Sequence, residues 1–479
     1  MPHMRTIARR LLAVALVTAA ASAAAASGAA ASDWTQYLGG PQHSSANGST
    51  VVTTANAARV HQIWHWTPPA VSGKPAPRLD GSPTVVGGSV YIGSATGVFY
   101  AIDAATGTVR WRHSLDTQAQ LTCPARGISA TAAVVRDPVG GRLTVYAAGA
   151  RYLYALDPAT GALRWKRLIG GANPPGQNAY YNWSSPTVVA GHIYMGISSN
   201  CDKPLVRGGV VELAQHTGAV LHTWYTVPPG SIGGSVWSSV AASWSGGDVW
   251  ASTGNECDPT VNACPAGNRI GDSLSIVHLN GSLGRLQGWQ VPGIAGGGRD
   301  SDFGSSPTVF AGASDVGACN KNGRYYALTA RPLSAQPLWS AAIGAPSEAG
   351  AGVCIASAVW SIASSRLYVA GNGTTIGGTS YAGSVRQLLP ATGAVVWERG
   401  LPCSVFGTPS IDASGVIAVA TYGSCATGAS PAAYLLDADD GAILAQLPVG
   451  GSKVFAQPVF AGNALYVASE TSGLYAFAP

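Results

Sequence analysis

Apolar and polar residues alternate along this chain in short runs, and the runs are paired across turns rich in Asp, Thr and Gly. Alternation with a period of two predicts strands with one buried face, and pairing across such turns predicts hairpins. The clearest copy runs from Tyr154 to Trp165, YALDPATGALRW. Its Asp157 can accept hydrogen bonds from backbone amides just ahead of it, Thr160 supports the reversal, and Gly161 takes the positive φ of a tight turn. Trp165 then presents a large ring that needs a neighbouring sheet to cover it and a partner for its indole N–H. The same pattern appears as YAIDAATGTVRW, with Asp103, Thr106, Gly107 and Trp111, and as RQLLPATGAVVW, with Thr392, Gly393 and Trp397. Looser copies pass through Thr217, Gly218 and Trp224, through residues 279–289 and 326–339, and through Asp437, Asp440 and Gly441.

The copies recur roughly every 50 to 65 residues, the spacing of propeller blades rather than of helical solenoids. Full repeats are expected at 82–113, 128–168, 184–225, 236–289, 305–340, 356–398 and 407–447. A last repeat, 456–479, holds three strands and stops, while residues 60–66, VHQIWHW, form a strand with no hairpin of its own. Lending that strand to the last repeat closes the ring and leaves no sheet edge open. The expected fold class is all-β, an eight-bladed β-propeller formed by residues 32–479, its last blade closed by an N-terminal strand. Gly-, Pro- and Asn-rich stretches at 115–125, 170–182, 198–207, 255–271 and 343–352 are expected after the innermost strands, crowding the face that carries function.

Composition agrees with many short strands: 10% of residues are charged, and the chain has 62 Gly, 30 Pro and 14 Trp. Residues 1–31 read as a signal peptide, with Arg5, Arg9 and Arg10 before an Ala-rich apolar run and small residues at 29–31. The expected location is extracellular or periplasmic. Removing that segment leaves 24 basic against 22 acidic residues, a balance that points to no nucleic acid. No later stretch is long and apolar enough to span a bilayer. Eight cysteines without a C-x-x-C pair, in an exported chain, point to disulfides. Cys257 and Cys264 bracket a short loop and are the first pair expected. Proximity suggests Cys403 with Cys425 and Cys319 with Cys354, which leaves Cys123 with Cys201; sequence alone leaves these three connectivities open.

Five segments carry a chemical signature: DWTQYLGG at 33–40, CPARG at 123–127, Trp237 opening a strand with Asn255 in STGN closing its hairpin eighteen residues later, RDSDFGSSP at 299–307, and NKNG at 320–323. With them the chain resembles, over its whole mature length, the quinoprotein alcohol dehydrogenases that bind pyrroloquinoline quinone (PQQ), and most closely their polyvinyl-alcohol-dehydrogenase-like branch. The resemblance implies cofactor-binding roles for Asp80, Arg126, Ser235, Trp237 and Lys321. Trp237 would lie flat on the tricyclic quinone, and the Arg126 fork suits a carboxylate or quinone oxygen. It also implies Ca²⁺ held by Asn255, Asp302 and Asp202, and a catalytic base at Asp302 with Asp300 as runner-up. Each position has a plain structural alternative: Trp237 as an inter-blade plug, Asn255 as a turn residue, Arg126 as a carbonyl cap, Lys321 as a solvated turn lysine.

This chain departs from that family in several places. A single Cys123 stands where many members have an adjacent pair, Asp80 stands where the family has a glutamate, and Asp202 lies about one position from the family's calcium-binding glutamate. No C-x-x-C-H haem motif is present, nor G-x-S-x-G, H-E-x-x-H or a phosphate-binding Gly loop. The resemblance implies an exported, monomeric dehydrogenase that oxidises a primary, secondary or polymeric alcohol with PQQ and Ca²⁺. Electrons would pass to a separate acceptor such as a cytochrome. The alternative is a non-catalytic propeller of the same shape that binds a protein or carbohydrate outside the cell.

Overall fold

A computed structural model describes residues 33–70, 76–292, 300–345 and 354–479 of the chain. The expected signal peptide lies outside the described residues. Every alternating run forms a strand, and the strands assemble into eight four-stranded antiparallel sheets. Seven of these are consecutive in sequence, at 84–114, 133–168, 187–225, 241–290, 308–342, 359–401 and 410–448, and are numbered here as blades one to seven. Blade eight joins Val459–Ala461, Ala464–Ser469 and Gly473–Ala478 to the N-terminal strand His61–Trp66. That strand pairs antiparallel with the last one, from His61 opposite Ala478 to Trp66 opposite Leu474, so the closure expected from sequence is the one observed.

The Asp-Thr-Gly turns fix how blades touch. Asp157 Oδ1 accepts the amides of Ala159 and Thr160 at 3.0 and 3.2 Å, and a bulge one step into the outer strand turns Arg164 back to Asp157 at 2.9 Å. The bulge sets the tryptophan's facing. Trp111 of blade one lies over Gly161 of blade two and donates its indole N–H to Pro158 O at 2.8 Å. The same stacking puts Trp64 on Gly107, Trp165 on Gly218, Trp339 on Gly393 and Trp397 on Gly441. Gly161 has φ +71°, and a Cβ there would stand 2.5 Å from the Trp111 ring. Gly161→Ala is therefore expected to cost about 2–4 kcal/mol, from a strained backbone and an overfilled contact. Equilibrium urea unfolding measures it, and a loss near zero would mean that Trp111 simply slides aside.

The leading segment, which the sequence shows only as polar, threads the end of the central channel. It meets the innermost strand of each blade in order. Trp34 N donates to Val85 O in blade one, Thr35 O accepts from Val134 in blade two, and Gln36 Oε1 accepts from Val188 in blade three, at 2.7–2.9 Å. Pro41, Gln42, Ser44 and Ser45 carbonyls accept from Ala242, Val309, Trp360 and Ile411 in blades four to seven, at 2.7–3.0 Å. Asn47 Nδ2 reaches Phe460 O in blade eight at 2.5 Å.

At the other end of the inner strands runs a belt with one residue from every blade. The amide of Ser82 donates to Thr131 Oγ1, that of Thr131 to Ser185 Oγ, that of Ser185 to Ser239 Oγ, and that of Ser239 to Ser306 Oγ, all at 2.9–3.0 Å. Ser306 continues to Ser357, and Ser357 to Thr408; Gln457 of blade eight donates back to Ser82, each at 2.9 Å. Half-buried Tyr37 rises from the leading segment into this belt, where its hydroxyl meets Ser306, Ser357 and Thr408.

Candidate active site

Above the belt, where the inner strands begin and the second strands end, lies a cavity of about 700 Å³. The belt supplies its frame. The residue two positions before the belt in each blade faces the cavity: Asp80, Ser129, Trp183 and Trp237 from blades one to four, then Gly304, Ile355, Phe406 and Phe455 from blades five to eight. A second tier comes from loops that follow the second strands, among them Asp202, Asn255, Lys321, Tyr422 and Glu470. All nine residues singled out from the sequence line this one cavity.

Two of them sit differently from expectation. Trp237 does not open a strand; it precedes the inner strand Ala241–Ala242 in irregular backbone. Asn255 does not close a hairpin, because Asp248–Ser252 ends before it and a long loop follows. Leaving the sheet is what lets both side chains turn inward. The long loops also join different elements than expected. Those at 115–125 and 170–182 connect an outer strand to the next blade, and those at 198–207 and 255–271 link second and third strands. Both kinds emerge on the cavity face, and so do all four disulfides, Cys123–Cys201, Cys257–Cys264, Cys319–Cys354 and Cys403–Cys425. Each expected pairing is present.

The charged centre is built by blades four and five. Asp302, with a side chain only 3% exposed, accepts the Trp237 indole N–H on Oδ2 at 2.7 Å and has the Lys321 ammonium 2.6 Å from Oδ1. Lys321 also pairs with Asp300 at 2.6 Å and lies 5.0 Å from the centre of the Trp237 ring. Asn255 Nδ2 donates to Asp300 at 2.9 Å, which leaves Asn255 Oδ1 buried without a partner. Burial raises the Asp302 pKa, and the neighbouring Lys321 only partly opposes it. Burial acts on Asp300 too, but there Lys321 and the Asn255 amide outweigh it and hold the carboxyl below its usual range. Burial, then the Asp302 charge, push Asp202 up to about 6. Burial opposes the Lys321 charge, but Asp302 and Asp300 outweigh it and keep the ammonium protonated.

The other sequence-selected residues flank this centre. Arg126 lies over the Trp183 ring, 4.5 Å from its centroid, and the Trp183 indole donates to Ser199 O at 3.0 Å. Ser235 Oγ accepts the Ser199 amide at 3.1 Å. Asp80 belongs to a separate group, bound by Arg78 at 3.0 Å, with Glu470 3.3 Å from the same guanidinium. Trp183, Tyr37, Phe406 and Phe455 were missed in the sequence. Trp183, Phe406 and Phe455 stand two residues before Ser185-Pro186, Thr408-Pro409 and Gln457-Pro458, a signal that becomes legible only once the belt is known, and Tyr37 carries no such signal.

Comparison with known proteins follows this geometry. The family described as glucose/ethanol/alcohol dehydrogenase, beta-propeller domain, matches residues 34–262, and that of the outer membrane protein assembly factor BamB matches residues 381–479. A polyvinylalcohol dehydrogenase from Pseudomonas sp is 26% identical over 235 residues, 43% of this chain and 33% of that protein, so the match spans about a third of the relative's length. BamB from Burkholderia pseudomallei is 26% identical over 428 residues, 88% of each chain. Among solved structures, a europium-containing methanol dehydrogenase superposes with a TM-score of 0.73 at 16% identity, covering 94% of this chain and 98% of that one. In its eight blades and its dehydrogenase matches, the chain is similar to the PQQ-dependent quinoprotein dehydrogenase propellers.

Proposed function

We propose that the chain oxidises an alcohol with bound PQQ, with Asp302 as the base. The observation that supports this most is a buried carboxylate held between the Trp237 indole and the Lys321 ammonium, in a cavity large enough for a tricyclic cofactor and an alcohol. PQQ supplies the electron-pair acceptor that turns an alcohol into a carbonyl compound. Trp237 offers a flat face, Arg126 and Lys321 offer charge to carboxylate or quinone oxygens, and Ser235 and Asp80 complete the polar wall. Asp302, its affinity for a proton raised by burial, takes the hydroxyl proton. Electrons then leave to a separate acceptor such as a cytochrome. Among the described residues no three His, Cys, Asp or Glu side chains are grouped to hold a metal. The orphaned oxygen Asn255 Oδ1, and the surplus of Asp202, Asp300 and Asp302 over Lys321, suit a Ca²⁺ completed by oxygens of the cofactor. Four disulfides fit an extracellular or periplasmic home, and among the described residues no helix is long and apolar enough to cross a membrane.

A second reading is favoured by the BamB match, which spans more of this chain than the polyvinylalcohol dehydrogenase match does. In it the ring binds a protein or carbohydrate and performs no chemistry. Adding PQQ with excess Ca²⁺ separates the two. The dehydrogenase reading expects quenching of tryptophan fluorescence and, at a hundredfold excess over Kd, about 2.7 kcal/mol of added stability, reversed in part by chelator. Unchanged fluorescence and melting would leave the binding module standing.

A further inference from the structure

One arc of the cavity wall has no task in that chemistry. At the ring position where blades one to four place Asp80, Ser129, Trp183 and Trp237, blades six to eight place Ile355, Phe406 and Phe455. Phe406 stacks on Tyr422 with centroids 4.6 Å apart and planes 24° from parallel, and Phe455 meets Tyr422 edge-on at 6.2 Å. The Cys403–Cys425 bridge, the Tyr422 N to Ser404 O bond at 2.6 Å and the Ser404 N to Gly423 O bond at 2.7 Å clamp the two arms that carry this stack. The stack is thus held in place before any ligand arrives, which lowers the ordering cost of binding. Phe455 remains 40% exposed, so its ring is open to a ligand in the cavity. At the edge of the arc, Asp80 and Glu470 are both engaged by Arg78, and Lys453 lies over the Tyr422 ring at 4.9 Å, so charged groups border the faces of Ile355, Phe406 and Phe455.

We propose that the arc of Ile355, Phe406 and Phe455 seats the substrate and selects alcohols with an extended hydrocarbon body, their hydroxyl directed across the cavity toward Asp302. The inference rests on the dehydrogenase reading, which supplies the alcohol; the arc supplies the selectivity. Sugars and other densely hydroxylated alcohols lose hydrogen bonds on such a surface, whereas each methylene buried there gains about fourfold in kcat/KM.

The test uses the full chain loaded with PQQ and Ca²⁺ and a series of straight-chain alcohols from ethanol to octanol. The expected result is a rise of about fourfold in kcat/KM per methylene until the arc is filled. Phe406→Ala and Phe455→Ala should each flatten that slope, and Phe455→Leu should restore most of it, which separates lost apolar surface from misfolding. A flat series, or a slope unchanged in both alanine variants, overturns the proposal. Saturation-transfer NMR of octanol with the cofactor-free chain reads the arc without turnover. Methylene protons saturated by the wild type and not by the alanine variants support the arc even where no alcohol is oxidised, an outcome that would sink only the dehydrogenase reading. Absence of saturation in the wild type counts against the arc itself.

Discussion

Asp302→Asn is expected to lower turnover of the PQQ-loaded chain by about 10²- to 10⁴-fold, the usual contribution of a general base. Asparagine keeps the size of the side chain and an oxygen for the Trp237 indole or the metal, but it cannot accept the alcohol's proton. Binding of PQQ, followed by tryptophan quenching, should weaken only modestly. The pH profile carries a second signature. Because burial raises the Asp302 pKa, the wild type should gain kcat/KM with rising pH as this carboxyl loses its proton, and the variant should lose that acid limb. Asp300→Asn is the matched control: its side chain is 47% exposed and its role is to share the Lys321 ammonium. Its removal should cost far less. Wild-type rates in Asp302→Asn, with Asp300→Asn inactive, would move the base to Asp300.

Deleting residues 33–66 is expected to yield insoluble or rapidly proteolysed protein. The deletion removes the outer strand of blade eight and, with it, the segment that bonds to the inner strand of all eight blades. The outward edge of Gly473–Ala478 would then be open to other chains. A milder probe keeps the chain whole. Trp34 is fully buried, packs among residues of blades one and eight, and its replacement by alanine should cost about 3–5 kcal/mol. That is a large share of the roughly 5–15 kcal/mol by which such folds are stable. Urea unfolding of Trp34→Ala measures it. A truncated chain that melts like the full one would show that neither the clasp nor the plug matters.

Strand alternation, turn chemistry and the tryptophan that follows each turn are local features, so the sequence by itself determined the repeat, the hairpins and the number of blades. The unpaired run at 60–66 beside a repeat one strand short also determined how the ring closes. The disulfide pairs followed in part from proximity, and the nine site residues from motifs that resemble a family. Other features depend on closure. Residues 34–47 carry no periodicity, because those that bond to the blades answer successive blades in turn, with short local turns between them. Arg78 and Glu470 meet only because blades one and eight become neighbours when the ring closes. Trp237 and Asn255 look like strand and turn residues until the irregular backbone around them turns both inward. The ring at the cavity wall is a single repeat position read eight times, and its division into the side of Asp80, Ser129, Trp183 and Trp237 and the apolar side of Ile355, Phe406 and Phe455 has no local signal. Tertiary structure decided it, because only eight inner strands converging on one axis bring residues so far apart along the chain to a common surface.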